Sequence, residues 1–167
     1  MRYSYIMRIC VTGARGMLGQ QIVEVATSLG HTVIPWVRPD ADISQVESIS
    51  ERAKHDAPDC IINCAAWTDV DGAETNAAAA YTANYIGARN VAMVAASNEI
   101  KLVHISTDFV YPGELQRPLL ETDSTDPKSV YGSSKLAGED AVLAHCPAAV
   151  IIRTGYIFGH HGPNLID

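Results

Sequence analysis

The 167 residues predict an α/β fold, a doubly wound parallel sheet. Three observations carry that expectation. Strand-like apolar runs alternate with helix-like periods five times. The strand runs are short and continuously apolar, which fits a sheet covered on both faces. A glycine-rich turn also stands directly between the first strand and the first helix.

The elements follow in order. Ile9-Cys10-Val11 is a short apolar strand. Met17 to Leu29 reads as a helix with Leu18, Ile22, Val25 and Ala26 on one face, and Gly30 stops it. His31 to Val37 is a second strand, and Ile43 to His55 is weakly helical. Cys60 to Cys64 is a third strand, and Asn76 to Ala96 a long Ala-rich helix. Leu102 to Ile105 is a fourth strand, Val130 to His145 a helix, and Ala149 to Ile152 a fifth strand. The stretch from Tyr111 to Lys128 holds Pro112, Gly113, Pro118 and Pro127, and a loop of that size usually serves function. Met1 to Ile6 read as an extension ahead of a single domain over residues 7–167.

Composition narrows the function classes. Twelve Lys+Arg against 19 Asp+Glu give a formal net charge of −7, which argues against nucleic acid or an anionic membrane as partner. No apolar run approaches the roughly 20 residues of a membrane-spanning helix, and no signal-peptide pattern precedes the first strand. Cys10, Cys60, Cys64 and Cys146 show no CxxC or zinc spacing, so reduced, buried thiols in a cytoplasmic protein are expected.

Gly13, Gly16 and Gly19 are spaced GxxGxxG. Gly13 permits the tight turn, Gly16 the approach of backbone to a pyrophosphate, and Gly19 the close packing of helix on strand. With Arg15, Met17 and Leu18 they place free N–H groups at a helix N-terminus, where phosphate is stabilised. This predicts a Rossmann-type dinucleotide site. The usual acidic residue closing the second strand is missing. Arg38 stands there instead, followed by Asp40 and Asp42. Arg38 either meets a 2′-phosphate, favouring NADP(H) over NAD(H), or is a solvated strand-end arginine.

Tyr131 and Lys135 lie four residues apart, on one face of a helix. A phenol of pKa about 10 is a poor proton donor or acceptor at neutral pH unless a neighbouring ammonium stabilises the phenolate. Ser106 and Thr107 close the fourth strand, at the sheet end where α/β folds bind ligands, and Thr107 can donate to a carbonyl. The competing readings are a surface Tyr–Lys pair and a strand end that uses its hydroxyls as a cap.

In sequence order, GARGMLG, NCAAWTDVDGAE, STDFVY, ETDSTDPKSVYGSSKLAGE and IIRTGYIFG together resemble the extended short-chain dehydrogenase/reductases, within them the dTDP-4-dehydrorhamnose reductase family. The resemblance runs from Met7 to the end. It implies NADP(H) or NAD(H) as cofactor and hydride transfer to C4 of dTDP-4-dehydro-L-rhamnose, giving dTDP-L-rhamnose for cell-surface polysaccharide. It makes Tyr131 the general acid, Lys135 the group that lowers the tyrosine pKa and holds the nicotinamide ribose, and Thr107 the polariser of the carbonyl. It sets Asp42 and Ile43 against the adenine, and Ala65, Ala66, Trp67, Thr68, Asn84 and Ser106 beside the cofactor. Asp108 and Tyr156 fall near the sugar nucleotide.

Two departures stand out. The family's Ser-Trp after Arg-Thr is Gly155-Tyr156 here, which touches substrate identity. Most of the family's C-terminal substrate lobe is absent, so the resemblance implies a cofactor domain in which dinucleotide binding survives better than turnover. Magnesium is sometimes associated with the family, but Asp69, Asp71 and Glu74 offer no ligand pattern and read as helix-start carboxylates. His160-His161 read as exposed and inert, and His104 as a packed histidine. A nucleotide sugar is the expected partner, and a homodimer is compatible with the pattern. The alternatives are a non-catalytic NADP-binding regulatory subunit, like that of methionine adenosyltransferase, and a related nucleotide-sugar epimerase or dehydratase.

Overall fold

The computed structural model describes residues 5–113 and 117–161. Five strands form one parallel sheet: β1 (Arg8–Thr12), β2 (Thr32–Trp36), β3 (Cys60–Asn63), β4 (Lys101–Thr107) and β5 (Val150–Thr154), in the order β2-β1-β3-β4-β5. The chain leaves β1 toward β2 on one side and returns to β3 on the other. The strand order therefore reverses between β1 and β3, whose ends Thr12 and Asn63 stand side by side. A crevice at the carboxyl ends of such strands is where open α/β sheets take ligands.

Alternation along the strands feeds two cores. Cys10, Ile61 and Leu102 pack with Ile49 of α2 (Val46–Asp56), Val91 and Ala95 of α5 (Ala88–Ser97), and Val142 of α6 (Val130–His145). Ile9, Val11 and Cys60 pack on the opposite face with Ala26 and Ile22 of α1 (Met17–Ser28). The expectation of a sheet covered on both faces fails at β5. Val150 and Ile152 are 55% and 42% exposed, because the cluster that α1 packs with runs from Val33 of β2 to Val103 of β4 and stops short of β5. An apolar run does not reveal whether the same chain covers it.

The region between β3 and β4 departs most from the sequence reading. A short helix α3 (Val70–Thr75) precedes the Ala-rich stretch, with Asp69 Oδ1 accepting from the Gly72 N–H at 2.9 Å as its cap. The expected long helix is three joined pieces: α4 (Ala77–Tyr81), a π-helical stretch Thr82–Gly87, and α5. The wide turn carries the backbone of Asn84 against α6. A Cβ at Gly138 would lie 2.2 Å from the Asn84 carbonyl oxygen, so only glycine admits that approach.

Smaller expectations also resolve. Tyr5 and Ile6 are exposed ahead of the sheet, while residues 1–4 of the expected extension and 162–167 of the expected domain lie outside the described residues. Cys10, Cys60 and Cys146 are buried and free, whereas Cys64 is half-buried. His104 is packed as expected. His160 is exposed, and His161 Nε2 lies 2.7 Å from Glu24 Oε1 on α1. Among the described residues no helix is long and apolar enough to cross a membrane.

Candidate active site

A crevice of about 1320 Å³ opens over the carboxyl ends of β1, β3, β4 and β5. Its floor begins at the glycine turn. Gly13 has φ +63°, and a Cβ there would stand 2.8 Å from the backbone of Ala65. A Cβ at Gly19 would lie 2.3 Å from the Gly13 carbonyl oxygen. Gly16 precedes α1 with no side-chain cap, and the Gln20 N–H donates to the Gly16 carbonyl at 2.9 Å to begin the helical ladder. The N–H groups of the first turn therefore face the crevice without an intrahelical partner, as an anion site requires.

The walls follow from the adjoining elements. Arg38, Asp42 and Ile43 line the crevice beyond β2. The Asp42 carboxylate accepts from the Ser44 N–H at 2.9 Å and the Ser44 hydroxyl at 2.8 Å, which lowers its pKa with help from Arg38. Ala65, Ala66, Trp67 and Thr68 follow β3 along the opposite wall, with Arg15, Met17 and Leu18 across from them. Asn84 is the exception among the expected cofactor residues. It is 1% exposed and does not line the crevice. Its side-chain amide holds the backbone of Trp67 from behind and donates to Ser134 Oγ at 2.9 Å. The asparagine faces inward because the π-helical stretch presses it between the segment that follows β3 and α6.

The catalytic helix is anchored at its start. Ser129 Oγ accepts from the Gly132 N–H at 3.0 Å, and Glu74 Oε1 accepts from the Val130 N–H at 2.8 Å. The expected role of the 69–74 acids as helix-start carboxylates thus takes two forms: Asp69 caps its own helix and Glu74 caps another. Among the described residues no group of three or more His, Cys, Asp or Glu could hold a metal ion.

Tyr131, Lys135, Thr107, Asp108 and Tyr156 all line the same end of the crevice. The Tyr131 ring meets Phe109 edge-on at 5.7 Å between centroids, and the Thr107 hydroxyl donates to Asp108 Oδ1 at 3.2 Å. The electrostatics differ from the sequence expectation. Burial is the main influence on Tyr131 and raises its pKa; Thr107 opposes this and Asp108 adds to it. The Lys135 ammonium does not supply the expected lowering, because it donates to the Ile105 carbonyl at 2.5 Å. Burial also pulls Lys135 down to about 8. Ser106 lines the crevice as well, but its hydroxyl turns inward to Glu139. Behind the site His104 is 1% exposed, contacts Asn63 Nδ2 through Nδ1 at 3.0 Å, and is held neutral by burial, with a pKa of about 3.

Several lining residues escaped the sequence reading. Ala79, Thr82 and Ala83 form one stripe of the Ala-rich helix, and their i, i+3, i+4 spacing was the available signal. Cys64, Phe109 and Thr154 also line the crevice, and no pattern distinguished them from packing residues.

Comparison with known proteins agrees with this geometry. The chain is 42% identical over 160 residues to a dTDP-4-keto-6-deoxy-D-glucose reductase of Streptomyces niveus, covering 95% of this chain and 56% of that protein. It is 40% identical over 155 residues to a dTDP-4-dehydrorhamnose reductase of Mycobacterium tuberculosis, covering 90% of this chain and 50% of the relative. A crystal structure of dTDP-4-dehydrorhamnose reductase from Bacillus anthracis in complex with NADP superimposes with a TM-score of 0.93 at 36% identity, over 96% of this chain and 57% of that one. The chain thus spans about half the length of the relatives it matches. The family model described as the RmlD substrate binding domain matches residues 7–167, and the chain belongs to that family.

Proposed function

We propose that this chain is the dinucleotide-binding and proton-donating part of an NAD(P)H-dependent reductase. It acts on the C4 keto group of dTDP-4-dehydro-L-rhamnose and yields dTDP-L-rhamnose for cell-surface polysaccharide. The observation that carries the reading is the meeting of an uncapped helix N-terminus and the Thr107–Tyr131–Lys135 group in one crevice.

The residues present fit a dinucleotide. Gly13 and Gly19 have no room for a side chain, and the first-turn N–H groups are free to receive a pyrophosphate. Ile43 and the capped Asp42 offer a wall for an adenine, and Arg38 offers a cation for a 2′-phosphate, which favours NADP(H). The reduced nicotinamide supplies hydride to the carbonyl carbon. Thr107 and Tyr131 then stand where negative charge gathers on the carbonyl oxygen. Tyr131 gives its proton to that oxygen. Burial and Asp108 hold the phenol protonated, so the proton it gives is present at neutral pH, while the raised pKa delays its release until negative charge builds on the carbonyl oxygen. Lys135 holds position near the ribose hydroxyls and carries its charge below about pH 8.

A second reading keeps the chemistry and changes the sugar. Tyr156 is 78% exposed at the crevice mouth where the family's tryptophan is expected. The Streptomyces relative is named for a different dTDP-4-keto-6-deoxyhexose. Parallel assays of cofactor oxidation with dTDP-4-dehydro-L-rhamnose and dTDP-4-keto-6-deoxy-D-glucose separate the two. Faster turnover of the first supports the first reading, and turnover of neither by a chain that binds NADPH supports a regulatory subunit.

A further inference from the structure

Glu139 is 2% exposed on α6, and a buried carboxylate is costly unless fully paired. Here it is paired. It accepts from the Ser106 hydroxyl, from Arg153 Nε at 3.0 and 3.1 Å, and from Arg153 Nη2 at 2.6 Å. Arg153 Nη1 continues to the Tyr111 hydroxyl at 2.7 Å, which donates to the Leu120 carbonyl at 3.0 Å. One carboxylate therefore ties α6 to the ends of β4 and β5 and, through them, to the loop beyond β4. Neither Glu139 nor Arg153 lines the crevice. Yet Ser106 adjoins Thr107, and Lys135 sits one helical turn before Glu139 on the same helix.

Resting on the reductase reading, we infer that Glu139, clamped by Arg153, is a positioning residue: it ties the turn of α6 that follows Lys135 to Ser106, and so sets Tyr131 and Lys135 against Thr107 at the end of β4. Replacing a buried ion pair by apolar groups is often neutral or stabilising, so stability alone gives no reason to hold one here. The surroundings of Lys135 point the same way. It is 3% exposed, and its ammonium has the Ile105 carbonyl as its hydrogen-bond partner. The titratable neighbours are the Cys64 thiol at the end of β3, neutral His104 on β4, and the Tyr131 phenol one turn back on α6. Burial works against the charge, and Glu139 is the main influence supporting it, ahead of Cys64. Without Glu139 the lysine loses its proton nearer to neutral pH.

The test uses Glu139→Gln, which keeps an acceptor for Ser106, and the double variant Glu139→Gln with Arg153→Met, which removes both charges of the pair. Lys135 is followed by NMR of 13C-lysine-labelled protein, and NADPH affinity is measured from pH 6 to 9. In Glu139→Gln the Lys135 midpoint is expected to fall by about one pH unit, while the double variant, which removes a negative and a positive charge together, is expected to titrate closer to the parent. For Glu139→Gln the NADPH Kd is expected to rise about tenfold at pH 8 with little change at pH 6. A Glu139→Gln variant that titrates Lys135 at the parent's pH and binds NADPH along the parent's pH curve overturns the inference and leaves the pair a structural bridge. If the parent binds no NADPH, the reductase reading fails on its own, and the Lys135 titration still decides the role of Glu139.

Discussion

Asn84 grips Trp67 with both ends of its amide: Oδ1 accepts from the Trp67 N–H at 2.8 Å, and Nδ2 donates to the Trp67 carbonyl at 3.1 Å. The same Nδ2 reaches Ser134 on the catalytic helix. One buried side chain thus holds a crevice wall and α6 at a fixed spacing. Asn84→Leu keeps the bulk and strands two backbone groups of Trp67. A loss of about 1–3 kcal/mol in urea unfolding is expected, with weaker NADPH binding. Asn84→Asp keeps the acceptor alone and should fall between parent and Leu. Equal stability in all three proteins contradicts the clamp.

The glycine turn gives a graded series. At Gly19 an added Cβ meets Gly13 oxygen at 2.3 Å and Ala14 Cα at 2.8 Å, so Gly19→Ala must move backbone. It should cost about 1–3 kcal/mol and weaken NADPH binding at least tenfold. Gly16→Ala meets only the Gly13 oxygen, at 3.2 Å, and should be milder. Gly30→Ala tests strain without a site: φ is +88° and nothing lies within 4 Å. It should lose about 1 kcal/mol and bind NADPH as the parent does. Equal affinities across the series would falsify the turn's role in binding.

His104 predicts the acid limb of stability. Its folded pKa of about 3 lies below the ordinary 6.5. The unfolded chain therefore takes a proton that the folded chain refuses, and stability falls as pH drops from about 6.5 toward 3. Above 6.5 this group adds no slope. His104→Gln keeps a partner for Asn63 and removes the titration. Urea unfolding between pH 7 and 4 should lose less stability in the variant than in the parent, by at least 1 kcal/mol. Parallel curves for the two proteins would contradict a neutral, buried imidazole.

The strands, α1 and α6 were legible because their signals are local: apolar runs, a helical period, a glycine stop. The glycine turn and the Tyr131–Lys135 face were legible for the same reason, and both fall in the crevice. What escaped depends on long-range packing. The π-helical stretch at Thr82–Gly87 is set by its approach to Gly138, more than 50 residues away in sequence. Asn84 was assigned to the cofactor by resemblance, yet the wide turn points it at backbone. The spacing that put Lys135 beside Tyr131 was correct, but not its partner. A carbonyl at Ile105 takes the ammonium, and only the tertiary fold places that carbonyl. The open face of β5 was likewise unreadable, since Val150 and Ile152 are as apolar as any covered strand.

Tyr131→Phe gives the most direct test. It removes one hydroxyl and leaves the ring contact with Phe109 in place. Cofactor oxidation with dTDP-4-dehydro-L-rhamnose is measured beside NADPH affinity for the parent and the variant. The expected result is unchanged affinity with turnover reduced by about 10²–10⁴. A variant that turns over like the parent contradicts Tyr131 as the proton donor and, with it, the proposed reduction at this crevice.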